Sequence, residues 1–397
     1  MKIDRLEVIN LRYEYPAAQR FAYAGGTCTG RLSSLILVHT DTGAVGIGSA
    51  YSHPGLVAII IKQQLEPLLR GRDPREVEFL WERMYAVTRW YGRKGAAMSA
   101  LGGLDVAFWD LRGKALGKPV WALLGGNTPT CPAYASALLW KSDVKLLADE
   151  ATRHLANGFR RMKMRLGRSE GYDLAAVRTV RSAIGKDNDL MADASMKYHV
   201  TLARRIGKVL AEQNAFWFEE PFQPEDIDSY AELRGTVGVR IAAGENEFGV
   251  QGFRELIRTS AVDIVQPDAS RCGGISEVWK TARLASEVGL KFAPHTWSDA
   301  VAITANAHVV AAMPNGLTVE MDQTGNPMID ELLVEPLRVK NGLLTLSGRP
   351  GLGIELNQAV VERLRMADPL AIPNGFYSDM VFGTDGLGPS SPYQEKA

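Results

Sequence analysis

Three carboxylates close three successive apolar runs: Asp193 in DLMAD, Glu219 in AFWFEEP and Glu245 in RIAAGEN. The gaps from 193 to 219 and from 219 to 245 are both 26 residues. That is roughly the length of one strand, one helix and two loops in a β/α repeat. Carboxylates at the C-terminal ends of three neighbouring parallel strands would share one small space. Three such acids could not all stay ionised at neutral pH without a cation between them. An all-oxygen donor set, with neither His nor Cys in it, suits a hard ion such as Mg2+. The expected chemistry is metal-assisted.

Such acids need a repeating scaffold, and the chain offers one from residue 129 onward. Short strand candidates lie at 132–137, 159–165, 189–193, 215–219, 239–243, 262–266, 290–294 and 317–321. Amphipathic segments such as VKLLADEATRHLANG and TLARRIGKVLAEQN fill intervals between them. Eight parallel strands at this spacing predict a (β/α)8 barrel or a close variant. A doubly wound sheet would need a Gly-rich phosphate turn or another nucleotide feature, and the sequence has neither.

Residues 1–128 read differently. Strands are expected at 3–13, 32–39 and 44–50, with Asp41-Thr42-Gly43 turning between the last two. Helices follow at 56–70, 75–87 and 95–116, the last rich in Ala and Gly and ended by Gly117 and Pro119. This is the pattern of an α+β domain. After 329 the alternation stops, and ELLVEPLRVKNGLLTLSGRPGLGIEL reads as short strands and turns returning to the first domain. The Gly-, Pro- and Ser-rich tail from Met366 reads as a surface wrap or a partly disordered end.

Composition narrows the class. The 397 residues are 46% hydrophobic, enough for a sizeable core and two domains. Lys plus Arg and Asp plus Glu balance at 45 each, so nothing demands nucleic acid or an anionic membrane as partner. No apolar stretch reaches about 18 residues, and the start MKIDRLEVINLRYEYP lacks a signal-peptide core. Three cysteines (Cys28, Cys131 and Cys272) make neither a disulfide framework nor a cysteine zinc site. A soluble cytoplasmic protein is expected.

Barrel catalysis sits at strand C-terminal ends. In chain order these carry Lys163 and Arg165, then Asp193, Glu219, Glu245, Asp268 in DIVQPDA, His295 in KFAPHTW and Glu320 in LTVEMD. Any one alone has an ordinary reading, an acid as a helix cap or a histidine satisfied in the core. Seven consecutive strand ends finishing in ionisable groups argue against it. In FRRMKMRL, Lys163 and Arg165 share one face while Met162, Met164 and Leu166 share the other. Both cations should therefore enter the barrel mouth, compensated by the carboxylates.

Together these residues resemble the enolase superfamily. The ladder with its WFEEP and GEN motifs carries the likeness, and Lys163-x-Arg165, Asp268, His295 and Glu320 narrow it to the mandelate racemase subgroup, which includes many acid-sugar dehydratases. ALGKPVWALLGG and GRPGLGIEL resemble that family's domain junction and return segment. The resemblance implies an α/β fold: a modified TIM barrel, (β/α)7β, over 129–329, and an α+β capping domain from 1–128 to which 330–397 returns. It implies Mg2+ on Asp193, Glu219 and Glu245, with Glu220 supporting that shell. His295, oriented by Asp268, becomes an acid/base, and Glu320 donates a hydrogen bond to a carboxylate oxygen of the enediolate formed when the α-proton leaves. A symmetric homo-oligomer, often an octamer, goes with the family.

Two departures bear on the reaction. Ser195 stands where the family often has Asn, a small change near the metal or substrate. Arg165 stands where racemases of the subgroup carry a second Lys base, and a guanidinium is a poor proton acceptor at neutral pH. A racemase needs bases on both faces of the α-carbon; a dehydratase needs one base and one acid. His295 can serve as both in a syn elimination, or Lys163, its pKa lowered by Arg165, can be the base and His295 the acid. The expected substrate is a small aldonate or aldarate, giving a 2-keto-3-deoxy acid. A racemase or epimerase, and a catalytically silent sugar-acid binding protein, are the rivals. First-domain loops near 17–31 and 50–54 would close over the distal end of the substrate, with Arg20, Tyr23, Tyr51 and His53 as candidates. Trp90, Tyr91, Arg93 and Lys94 lie further on, and Trp297 either lines the pocket or packs in the core.

Overall fold

The computed structural model describes residues 1–367, 372 and 375–377. Most of the tail reading from Met366 therefore lies outside the described residues. The first domain is built on one long strand, β4 (Gly30–Thr40), reached after β1 (Ile3–Glu14) and a hairpin of β2 (Phe21–Tyr23) with β3 (Gly26–Cys28). β4 pairs antiparallel with β1 and with β5 (Val45–Ala50). The hairpin is a correction, because 17–31 was expected as loop. Its strands are three residues each, too short for the alternation that marks a strand in sequence.

The Ala- and Gly-rich helix, Ala96–Leu116, lies across this sheet against β5. A Cβ on Gly48 would strike the carbonyl of Gly103, so the glycines are what let helix and strand approach. Gly117 ends the helix in the left-handed conformation at φ 66°. The helix expected at 56–70 comes as Pro54–Ile59, a π-helical stretch Ile60–Leu65, and Glu66–Leu69.

The second domain is a closed barrel. Its parallel strands are β6 (Thr130–Ser136), β7 (Arg161–Arg165), β8 (Asp189–Asp193), β9 (Trp217–Glu219), β10 (Ile241–Ala243), β11 (Ile264–Val265), β12 (Lys291–Phe292) and β13 (Val319–Asp322). Ladders run without a break from β12 through β6 to β13. A bridge from Phe292 to Gly316 joins the remaining seam. One regular helix lies in each of the seven intervals, and the segment directly after β13 forms a single turn, Pro327–Asp330. The architecture is (β/α)7β. Met162, Met164 and Leu166 join the large apolar core, whereas Tyr134, Met191, Trp217, Ala242, Ile264 and Ala293 form a separate cluster. Strand parity aims that second set inward, as the floor beneath the charged strand ends.

The return segment does two things. β14 (Val339–Lys340) and β15 (Leu343–Thr345) form a hairpin whose second strand pairs antiparallel with barrel strand β6. Further on, Arg365 bridges to Leu11 of β1, and β16 (Phe376–Tyr377) pairs parallel with β4. Among the described residues no helix is long and apolar enough to cross a membrane.

Candidate active site

Strand register sets the level of the site. Arg165, Asp193 and Glu219 face one another across β7, β8 and β9. Glu245 comes two residues after β10, beyond Gly244 at φ 128°, a conformation that glycine tolerates and side chains resist. Ligand atoms of Asp193, Glu219 and Glu245 all lie within 4.8 Å of one another, the one such cluster among the described residues. Buried oxygen donors this close fit a hard divalent cation. A buried oxygen of Glu245, Oε2, has no protein hydrogen-bond partner, as expected of a group kept for a ligand.

One flank of this trio is cationic. Lys163 is fully buried, paired with Glu219 and 3.0 Å from Glu320 Oε1. Arg165 pairs with Asp193, and its guanidinium lies 4.7 Å from the centre of the Trp297 ring. Arg31 stacks 4.8 Å from that ring and bonds Asp322 Oδ2 at 2.8 Å and the Trp297 carbonyl. Trp297 is thus buried with two guanidinium groups over its ring. Burial would pull the Lys163 ammonium pKa down, but Glu219 and Glu320 outweigh it and raise it, despite Arg165. That direction runs against the alternative in which a Lys163 depressed by Arg165 is the base. At Glu320, burial pushes the carboxyl up, yet Lys163, His295 and Arg165 hold it down at about 2. Glu320 Oε2 accepts a hydrogen bond from Thr296 N at 2.9 Å.

The other flank carries the histidine. His295 Nδ1 lies 2.9 Å from Asp268 Oδ2, and Nε2 lies 3.7 Å from Glu245 Oε1. Burial disfavours the imidazolium, but Glu245, Asp268 and Glu320 outweigh it and raise the pKa. Within the trio, burial, reinforced by Glu245 and Glu320, pushes Glu219 up against the pull of Lys163. For Glu245, burial is outweighed by His295, Lys163 and Arg165, and the pKa falls.

Supporting contacts surround the strand ends. Ser195 donates to Asp193 Oδ1 from its backbone N at 2.6 Å and from Oγ at 3.2 Å. Trp217 Nε1 donates to Glu219 Oε2 at 2.8 Å. Glu220 stands outside the trio at φ 35°, accepting from Asn246 Nδ2 at 2.9 Å. Burial, with Glu245 and Glu219 adding to it, pushes the Glu220 carboxyl well up.

Of the first-domain candidates, Tyr51 meets the site: it stacks on His295 at 6.5 Å, with the Arg271 guanidinium 5.3 Å from its ring. His53 caps the helix at Pro54, Nδ1 accepting from Gly55 N and Leu56 N. Arg20 pairs with Glu14 and bonds the Tyr15 carbonyl. Tyr23 is half-buried in the β2–β3 hairpin. Lys94 pairs with Glu247 beside the mouth, while Trp90 is 81% exposed.

Residues 7–125 match the mandelate racemase / muconate lactonizing enzyme N-terminal domain, and residues 146–360 the enolase C-terminal domain-like family. The chain belongs to the enolase superfamily. It is 37% identical to D-galactarolactone cycloisomerase of Agrobacterium fabrum, over 85% of this chain and 93% of that one. It is 34% identical to arabinonate dehydratase of Saccharolobus solfataricus, over 83% and 89%. A solved racemase from Streptomyces coelicolor with bound magnesium superposes at TM-score 0.85 with 29% identity, over 92% and 100%. The dehydratase relatives place this superfamily member among the lyases.

Sequence reasoning missed several residues around the superfamily site. Trp217 could have been found, since it stands two residues before Glu219 on the same strand face. Arg31, Asp322, Asn306 and Arg271 carried no local signal; long-range contacts alone bring them here.

Proposed function

We propose that this protein is a sugar-acid dehydratase that takes an aldonate or aldarate to a 2-keto-3-deoxy acid. The observation that carries the reading is the asymmetry of the two flanks: a permanently charged guanidinium on one, a histidine with a partnered Nδ1 on the other. Asp193, Glu219 and Glu245 would hold Mg2+, which supplies positive charge where the substrate carboxylate becomes more negative. His295 takes the α-proton on Nε2 while Asp268 holds Nδ1–H and steadies the imidazolium. The electron pair left on the α-carbon forms the α,β double bond as the β-carbon–oxygen bond breaks. His295 returns the proton to the departing hydroxyl, water leaves, and the enol tautomerises to the ketone. Lys163 and Arg165 keep their charge and oppose the negative charge that develops, which a preorganised buried site does without reorganising. Ser195 and Tyr51 would contact substrate at the mouth. The family likeness further supports a homo-oligomer such as an octamer.

Cycloisomerisation of a sugar-acid lactone is a second reading, favoured by the 37% identity to the Agrobacterium relative. A panel of mono- and diacid sugars and their lactones, incubated in D2O with and without Mg2+, separates the two. Dehydration releases one water and yields a 2-keto acid, whereas isomerisation and racemisation keep the substrate formula. Mg2+-dependent 2-keto acid is expected. Retention of formula across the panel would overturn the dehydratase.

A further inference from the structure

Behind the His295–Asp268 pair stands a side chain with no part in the reaction above. Asn306 is fully buried on the helix Ala300–Ala312, which follows β12. Its Oδ1 accepts from Ala269 N at 3.0 Å. Its Nδ2 lies 3.1 Å from Asp268 Oδ1, 3.2 Å from the His295 carbonyl and 3.0 Å from Thr296 Oγ1. One amide therefore ties together the two strand-end segments that carry the acid/base pair. Its orientation follows from chemistry: the Ala269 N–H needs an acceptor, and the Asp268 carboxylate needs a donor.

Asp268 Oδ1 also receives Ser270 N and Ser270 Oγ, each at 2.8 Å. With Asn306 that makes three donors on one oxygen, leaving Oδ2 to His295 Nδ1 at 2.9 Å. With Oδ1 so supplied, Oδ2 is the oxygen placed to accept from Nδ1–H. The open atom of the imidazole is then Nε2, on the side of Glu245.

We propose that Asn306 is the positioning residue of this site, setting both the distance and the tautomer of His295 through Asp268. The proposal rests on the reading of His295 and Asp268 as the acid/base pair. The helix supplies the needed rigidity. Asp299 caps its N-terminus, Oδ1 accepting Val301 N at 2.8 Å and Ala302 N at 3.0 Å. Oδ2 of the same residue accepts from Ser33 on β4 and from Ser49 on β5. The helix bearing Asn306 is thereby pinned to the capping-domain sheet, and the orientation of the histidine depends on a residue well behind the mouth.

Three full-length variants test this: Asn306→Leu, which removes the amide, Asn306→Asp, which keeps the shape and turns a donor toward Asp268 into an acceptor, and Asp268→Asn. Turnover of an active sugar acid and α-proton exchange in D2O should both fall about 10- to 100-fold in each Asn306 variant, by analogy with the hydrogen-bonding partners that orient metal-ligating histidines. KM should move less than about threefold, because substrate contacts are untouched. Adding Asn306→Leu to Asp268→Asn should cost little more, since the two act as a unit.

Independently of any activity, 15N-histidine NMR of the whole protein reads the tautomer. His295, assigned by loss of its signal in His295→Asn and titrated upward in pH to its neutral form, should carry its proton on Nδ1 in the wild type and lose that preference in Asn306→Leu. An unchanged tautomer in Asn306→Leu, or full activity in Asn306→Asp, would overturn the proposal. If no sugar acid is dehydrated yet the tautomer responds, the substrate reading fails and the positioning role stands.

Discussion

Two histidines in this molecule are equally buried and do opposite things. His295 faces Asp268, Glu245 and Glu320, and these carboxylates raise its pKa against the penalty of burial. His308, on the helix that also carries Asn306, has only peptide groups for partners. Its Nδ1 accepts from Trp121 N at 3.0 Å and its Nε2 lies 3.1 Å from the Leu352 carbonyl. Burial pulls it down to about 4. The difference teaches that burial alone keeps a histidine neutral, and that surrounding carboxylates favour its imidazolium against that burial. His295 sits where unlike charges converge; His308 joins barrel, domain junction and return segment.

The largest expected effect comes from removing the charged side of that comparison. His295→Asn should lower turnover by about 10²- to 10⁴-fold with an almost unchanged melting temperature, since general acid–base catalysis is worth that much. Full turnover in this variant would remove His295 from the chemistry.

Next in size is a change on the opposite flank. Arg165→Lys replaces a permanent charge with an amine able to give up its proton, and it loses the planar stack on Trp297. Dehydration should fall roughly 10- to 100-fold through misplacement of charge. NMR of substrate recovered from D2O should then show an epimer absent in the wild type. If the variant dehydrates at the wild-type rate, Arg165 has no part in choosing the reaction.

The smallest effect belongs to His308 and is one of stability. Its folded pKa of about 4 lies below the ordinary 6.5, so between those values the unfolded chain binds a proton that the folded one refuses. Stability from this residue is complete above pH 6.5 and is lost as pH falls toward 4, by about 2–3 kcal/mol at pH 4.5. His308→Gln keeps an acceptor and a donor but cannot titrate. Urea unfolding at pH 7 and pH 4.5 should show the wild type losing that much more than the variant. Equal losses would mean that His308 is not held neutral.

The eight barrel strands could be read in the sequence to within a few residues, because apolar runs of fixed spacing are a local property. Their charged ends were equally legible, and register places Arg165, Asp193 and Glu219 side by side. The β2–β3 hairpin was not, being too short to show a period. Nor were Asn306 and Arg31, which act on residues 38 and 291 positions away in the chain. Charge states escaped for another reason. One alternative had Lys163 depressed by Arg165 alone, yet its pKa, like that of Glu320, is governed by the sum of its buried neighbours.

Residue types and spacing by themselves determined the barrel, the carboxylate ladder, the cation pair and the histidine that faces them. A strand's direction and parity decide where its side chains point, and both are written along the chain. Only the tertiary structure decided how each buried group's pKa is biased, which way His295 is turned, and that Trp297 is buried with two guanidinium groups over its ring. Those outcomes depend on distances between segments far apart in sequence. Electrostatic energy in a buried site changes steeply over a few ångströms.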